Sequence, residues 1–201
     1  MSTPATQEAS DARQGILDTG QRIMAGKGFS AVGLNEILTA AGVPKGSFYH
    51  YFSSKEAFGE ALLEDYFKDY LAGLDETFRQ PGLTMAQRLM NYWTQWQETQ
   101  SFFDCQGKCL AVKLGAEVAD LSEAMRSALQ RGTSGITDRL GRAIEAGVAE
   151  RSLSISEDPD CVAQSLYQLW LGASVMVKIV RHTGPFETAM RTTLQILHLS
   201  P

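Results

Sequence analysis

Three features of the sequence predict an all-α protein. It has only six prolines in 201 residues, hardly any β-branched alternation, and apolar residues that recur three and four apart along most of its length. Ile16, Leu17, Ile23 and Met24 give a first helix running from Arg13 until Gly26 and Gly28 stop it. Leu34, Ile37, Leu38 and Ala41 make a short second helix ending at Gly42. Val43-Pro44 restarts the chain, and Phe48, Tyr51 and Phe52 form the buried side of a third helix. Ser53-Ser54-Lys55-Glu56 reads as a capping box, with Ser53 bonding forward and Glu56 back. It opens a long helix from Lys55 to Arg79, closed by Pro81-Gly82.

Helices continue beyond Gly82. Met85, Leu89, Tyr92, Trp93 and Trp96 form one stripe ending around Phe103, and a short helix starts near Gly107-Lys108-Cys109. Asp120-Leu-Ser-Glu123 opens a long helix to Ala149, Asp158-Pro159 opens the next as far as Thr183-Gly184, and Pro185 opens the last. No repeat, low-complexity tract or strand interrupts this pattern.

Composition narrows the function. A chain of this length buries a real core, and at 44% hydrophobic and 20% charged it is no disordered tail. Three cysteines are too few for a disulfide scaffold. No run reaches the roughly 18 apolar residues of a membrane span. Residues 1–10 lack the basic-then-apolar order of a secretory signal, so a cytoplasmic protein with free thiols is expected. No nucleophile–base pair or phosphate loop is recognisable, so neither catalysis nor a cofactor is expected.

The net charge of −5 argues against nucleic acid as a total but not in its distribution. Residues 1–55 carry five basic and four acidic side chains, against thirteen and nineteen in residues 56–201. Between Ile37 and Lys55 there is no acidic residue, while Lys45, His50 and Lys55 are present. Two short helices joined by a glycine turn and followed by a long helix are the helix-turn-helix layout, here with one face open to a phosphate backbone.

The run Ala41-Gly-Val-Pro-Lys-Gly-Ser-Phe-Tyr-His-Tyr-Phe-Ser-Ser-Lys-Glu56 closely resembles the signature of TetR-type transcriptional repressors. The resemblance implies a two-domain, all-α homodimer: a helix-turn-helix head over residues 1–55 reading a palindromic double-stranded DNA operator, and an effector and dimerisation domain over 56–201. Physical chemistry fits these roles. Phe48 and Phe52 lie four apart and bury together, leaving Lys45, Ser47, Tyr49 and His50 at the helix start or on its outer side. Lys45 is suited to guanine acceptors, Ser47 and His50 to base edges or phosphates, and Gly46 to close backbone approach. Tyr49, Tyr51 and Lys55 are read as phosphate contacts. In one departure, Gly33 stands where the family often has a threonine capping the second helix and meeting a phosphate. That contact then comes from backbone N–H groups or is lost.

Two thiols four apart, Cys105 and Cys109, do not make a zinc site, and His50, His182 and His198 are remote in sequence, so no metal is expected. Cys109 differs from its neighbours. Lys108 precedes it, Lys113 follows at helical spacing, and a helix start and cations both favour thiolate. Local sequence leaves two readings, a reactive thiol or a buried residue filling space. Cys161, in an amphipathic helix, reads as a small core residue.

Residues 107–126 and the run Leu169-Trp-Leu-Gly-Ala-Ser-Val-Met-Val-Lys-Ile179 resemble the electrophile-sensing NemR branch of the same family. That resemblance implies that Cys109 is the sensing thiol and that Lys178 lies near it; Lys108 departs from the small residue expected before the cysteine. Electrophile or oxidant modification of Cys109 would then release the operator. The other reading is reversible induction by a lipophilic or aromatic molecule, with Tyr92, Trp93, Trp96, Phe103 and Trp170 lining a pocket, although aromatics at helical spacing also suit plain core. The apolar stripes Val162, Leu166, Leu169, Ala173 and Val177, then Phe186, Met190, Leu194 and Leu197, suit a four-helix dimer bundle or an internal core.

Overall fold

A computed structural model describes residues 4–100 and 109–200, with side chains from residue 11 onward. The described residues form nine α-helices and no strand, as the sequence pattern predicts. They are α1 (Pro4–Lys27), α2 (Leu34–Ala41), α3 (Lys45–Tyr51), α4 (Lys55–Phe78), α5 (Met85–Gln100), α6 (Leu110–Leu121), α7 (Glu123–Ala149), α8 (Pro159–Val180) and α9 (Gly184–Ile196). The first begins well before Arg13.

Contacts divide the chain into two compact units. The first takes in residues 1–68 and 109–132, so α6 and the start of α7 group with α1–α3 and the first half of α4, and α6 touches α1; the second takes in 69–108 and 133–201.

Helix ends show where local chemistry decides. Gly42 ends α2 in the left-handed region at φ 67°, and its N–H and that of Val43 bond back to Thr39 and Leu38 carbonyls. A side chain at that φ would be strained, so the turn between α2 and α3 requires glycine. Gly33 caps α2 without a side-chain bond. At α4 the cap is Ser54, not Ser53: its Oγ accepts the Ala57 N–H at 3.1 Å. The helix starts at Lys55 as expected, and only the capping serine differs. At α7 the cap is likewise Ser122, whose Oγ accepts from Met125 N, rather than Asp120, which still lies within α6. Asp158 caps α8 as expected, accepting from Asp160 N and Cys161 N. That helix stops at Val180, short of Thr183, because Arg181 turns left-handed at φ 60°.

In the first unit Ile16, Leu17, Met24, Ile37, Phe48, Phe52, Phe58 and Leu62 are buried. Phe48, Phe52 and Phe58 meet with ring centroids 5.1–5.6 Å apart, which ties α3 to α4. The second unit centres on a slab of rings. Trp93 stacks on Trp170 at 4.9 Å, and Trp170 stacks on Phe186 at 5.8 Å. Trp96 Nε1 donates to Ser174 Oγ and Trp170 Nε1 to Thr193 Oγ1, so both buried hydroxyls are used. The Arg139 guanidinium bridges to Asp75 at 2.7 Å and, through its hydrogen bonds, holds that carboxyl below the usual range.

The expected dimer stripe is largely an inner face. Val162, Leu166, Ala173, Val177, Phe186 and Leu197 are buried within the chain, and Leu169, Met190 and Leu194 are half-buried. A different apolar strip of α8 lies outward: Val175, Met176, Ile179 (66% exposed) and Val180. Cys161 is exposed rather than a core residue, because it lies on the outer side of the first turn of α8, whose inner side is Val162 and Ala163.

Candidate nucleic-acid interface and sensor thiol

The reading surface is built by a short helix whose one apolar side is fully used. Phe48 is buried in α3 and Phe52 directly after it, which turns Lys45, Gly46, Tyr49 and His50 outward. Lys45, Gly46, Tyr49 and His50 are exposed, and Ser47 and Tyr51 are half-buried. Tyr49 packs edge-on against Phe48 at 5.5 Å yet remains 53% exposed, which leaves its hydroxyl end available to a partner. His50 and Tyr51 touch edge-to-face at 5.0 Å. Six of the seven expected contact residues therefore lie in α3, Tyr51 as its last residue, and no side-chain cap bond is made at its N-terminus.

Lys55 is placed differently from the others. Its Nζ donates to the Phe29 carbonyl at 2.8 Å and sits 4.4 Å from the centre of the Phe29 ring. The ammonium links the start of α4 to the connection between α1 and α2.

Sequence reasoning missed two residues. Asn35 and Thr39, both exposed on α2, line a shallow groove with Lys45, Gly42, Val43 and Pro44. Their four-residue spacing puts them on one helix face beside the α3 start, a signal present in the sequence once the turn at Gly42 is placed.

Cys109 is the N-cap of α6, and its carbonyl accepts the Lys113 N–H. It is buried, at 4% exposure. Its side chain makes no cap bond to the first-turn N–H groups, although a helix N-terminus in general favours an anion. The residue is thus both at a helix start and enclosed. Gly107, Lys108, Cys105 and Phe103 lie outside the described residues. Lys178 is half-buried in the last turn of α8, in the second unit. Tyr92, Trp93, Trp96 and Trp170 are all buried among one another's rings. Trp93 Nε1 is buried without a hydrogen-bond acceptor.

No group of three or more metal-ligating side chains occurs among the described residues, and no described helix is long and apolar enough to cross a membrane.

A left-handed glycine turn, a short outward-facing polar helix and a long helix behind it define a helix-turn-helix regulator. Residues 16–62 match the model of bacterial regulatory proteins of the tetR family, and residues 83–193 match the tetracyclin repressor-like C-terminal domain. The chain belongs to the TetR family and is a transcriptional repressor of that type. It is 42% identical over 190 residues to the HTH-type transcriptional repressor NemR of Escherichia coli K12, covering 93% of this chain and 94% of that one. The transcriptional regulator AcuR of Cereibacter sphaeroides is 34% identical over 92% of this chain and 84% of its own. The crystal structure of reduced Escherichia coli NemR superposes with a TM-score of 0.88 at 43% identity, covering 93% of this chain and 97% of that one.

Proposed function

We propose that this repressor acts as a cytoplasmic homodimer on a palindromic operator and is released when an electrophile or oxidant modifies Cys109. In this reading residues 1–55 are the DNA-reading domain and residues 56–201 the effector and dimerisation domain. Lys45, Gly46, Ser47, Tyr49, His50, Tyr51 and Lys55 are its DNA contacts. The observation that carries the thiol switch is the position of Cys109 at the head of α6, in the same compact unit as the reading helices. Addition of the thiolate to the β-carbon of an unsaturated carbonyl forms an S–C bond and breaks the C=C π bond. The resulting enolate takes its proton from water. In this reading a group added at the buried N-cap shifts α6, so modification favours a different arrangement of the unit. The resemblance of residues 107–126 and 169–179 to an electrophile-sensing branch of the family supports this choice.

The dimer surface is the outward strip of α8, Gly172, Val175, Met176 and Ile179, spaced as one helix face. Lys178 is the second sensor residue of this reading, and Lys178→Ala is expected to slow thiol modification.

The deciding experiment is a gel shift with N-ethylmaleimide on the protein bound to DNA from upstream of its own gene, with timed mass mapping of the cysteines. Cys109→Ser should bind like the wild type and stay bound after treatment. Wild-type release from the serine variant would remove the thiol switch. The reversible-inducer reading has one observation in its favour, the buried Trp93 Nε1 that a ligand oxygen would satisfy. Release by an aromatic compound that reverses on dilution, without reductant, would establish that reading instead.

A further inference from the structure

Glu117 stands on α6 two turns beyond Cys109, and its carboxylate is turned to the backbone of the head, with the Ser30 side chain and the Lys55 charge also acting on it. One oxygen, Oε2, accepts the Phe29 N–H at 3.0 Å, and Oε1 accepts the Ser30 N–H at 2.6 Å. The same peptide is held from another side by Lys55, which donates to the Phe29 carbonyl at 2.8 Å. This segment is the connection from α1 to α2, so it fixes where the α2–α3 pair begins. Gly28 makes the approach possible. It lies at φ +89°, and a Cβ there would stand 3.0 Å from Glu117 Oε2. Other carboxylates of this unit, Glu36, Glu64 and Glu123, bond cationic side chains at the surface.

We propose that Glu117 is a positioning residue for operator recognition: by bonding two successive N–H groups of the α1–α2 connection it seats the reading helices on α6, and it carries a displacement of α6 into them. The second clause rests on the thiol-switch reading above; the first does not. A carboxylate suits the task because its two oxygens serve two adjacent donors, and charge-assisted bonds are stronger than neutral ones. Glutamine offers one oxygen, and aspartate withdraws both by a methylene. Cys109 and Glu117 are eight residues apart in sequence, about 12 Å along a helix at roughly 1.5 Å per residue. A helix is stiff over that length, so movement of its first turn reaches the carboxylate.

The test uses the full chain with Glu117→Asp and Glu117→Gln, and a duplex from upstream of its own gene. Anisotropy titrations at several salt concentrations are paired with stoichiometric titration of the active fraction and with hydrogen exchange of residues 28–32. Glu117→Asp should bind about tenfold more weakly, the effect of losing one charge-assisted bond. Its salt slope should equal that of the wild type, because the phosphate contacts are unchanged. Exchange in residues 28–32 should quicken while exchange in α8 and α9 stays as it was. The isosteric Glu117→Gln should fall between, and guards against an aspartate variant that fails to fold. A purely structural role would lower the active fraction and leave the Kd of the active protein within twofold of wild type; that result overturns the proposal, as does unchanged exchange. In a second arm both proteins are treated with N-ethylmaleimide. Wild-type release with weak or no further release from Glu117→Gln supports the coupling, and equal fold-release from both overturns it. If the wild type itself holds on to DNA, the thiol-switch reading fails, and the untreated affinities alone decide the positioning role.

Discussion

The helix α3 and the aromatic slab of the second unit both consist mainly of rings and polar hydrogen-bonding groups, and they use them in opposite ways. In α3 one buried ring, Phe48, anchors the helix while Lys45, Tyr49 and His50 stand in solvent. In the slab Trp93, Trp96 and Trp170 are all turned inward, and two of the three indole N–H groups are satisfied by buried hydroxyls. A polar residue left outward on a well-anchored helix has no structural employment and is available for a partner. A buried ring with a bonded N–H is already employed in the fold, whatever else it touches. The same residue types thus carry recognition in one region and cohesion in the other, and truncations in the two regions should separate cleanly.

The largest effect is expected in the slab. Trp170→Ala removes a fully buried indole stacked on two neighbours and takes away the N–H that the Thr193 hydroxyl accepts, leaving that hydroxyl only its bond to the Ala189 carbonyl, so it should destabilise by about 3–5 kcal/mol. Urea denaturation measures this; a loss below about 1 kcal/mol would mean the slab is loosely packed and closer to a ligand site than to a core. Next comes Ile179→Glu on the outward strip of α8, which is 66% exposed in the single chain. It should leave the chain folded but place an unpaired charge in the proposed bundle, giving a monomer by sedimentation and loss of palindrome binding. A normal dimer would move the interface elsewhere. Lys45→Ala should cost on the order of 1–3 kcal/mol in operator affinity and relax base preference, with thermal stability unchanged because the side chain is exposed. A shift in melting temperature instead would show that α3 is less independent of its outer face than the packing implies.

The contrast also explains what was legible in the sequence. Helix order and the head were readable because Gly42, Pro44, Asp158 and the apolar spacing act locally, each through its own backbone geometry. The outward face of α3 followed from Phe48 and Phe52 alone. The direction of the α8 stripe did not. Val162, Leu166, Ala173 and Val177 and the outward Val175, Met176 and Ile179 are both helical faces, and only the packing of α8 on α9 decides which is inside. For the same reason Cys161, read as core, lies outside, and the aromatic rings could be pocket lining or plain core until their neighbours were placed. Glu117 was invisible for another reason: its partners are backbone N–H groups nearly ninety residues away, and no side-chain pattern marks a backbone donor.

The smallest expected effect tests the one-residue difference at the start of α4. Both Ser53 and Ser54 precede a helix and have the residue type of a cap, but only Ser54 places Oγ on the N–H three residues on, at 3.1 Å from Ala57 N. Ser54→Ala should therefore destabilise the chain by about 1 kcal/mol, the ordinary worth of an N-cap, and Ser53→Ala should change it by less than about 0.5 kcal/mol. The Glu56 carboxyl adds a pH signature. Its own backbone N–H first, then the Ser54 hydroxyl and the Lys55 charge, outweigh its slight desolvation and hold it below its ordinary value of 4.5. A carboxyl lowered in the folded state stabilises fully above that ordinary value and loses its share as pH falls through the folded one. The gap between Ser54→Ala and wild type should thus be constant from neutral pH down to about 5 and narrow in stronger acid. Urea midpoints for both variants across that range check the assignment. An equal loss for Ser53→Ala would show that the two serines share the cap and that α4 starts in two registers.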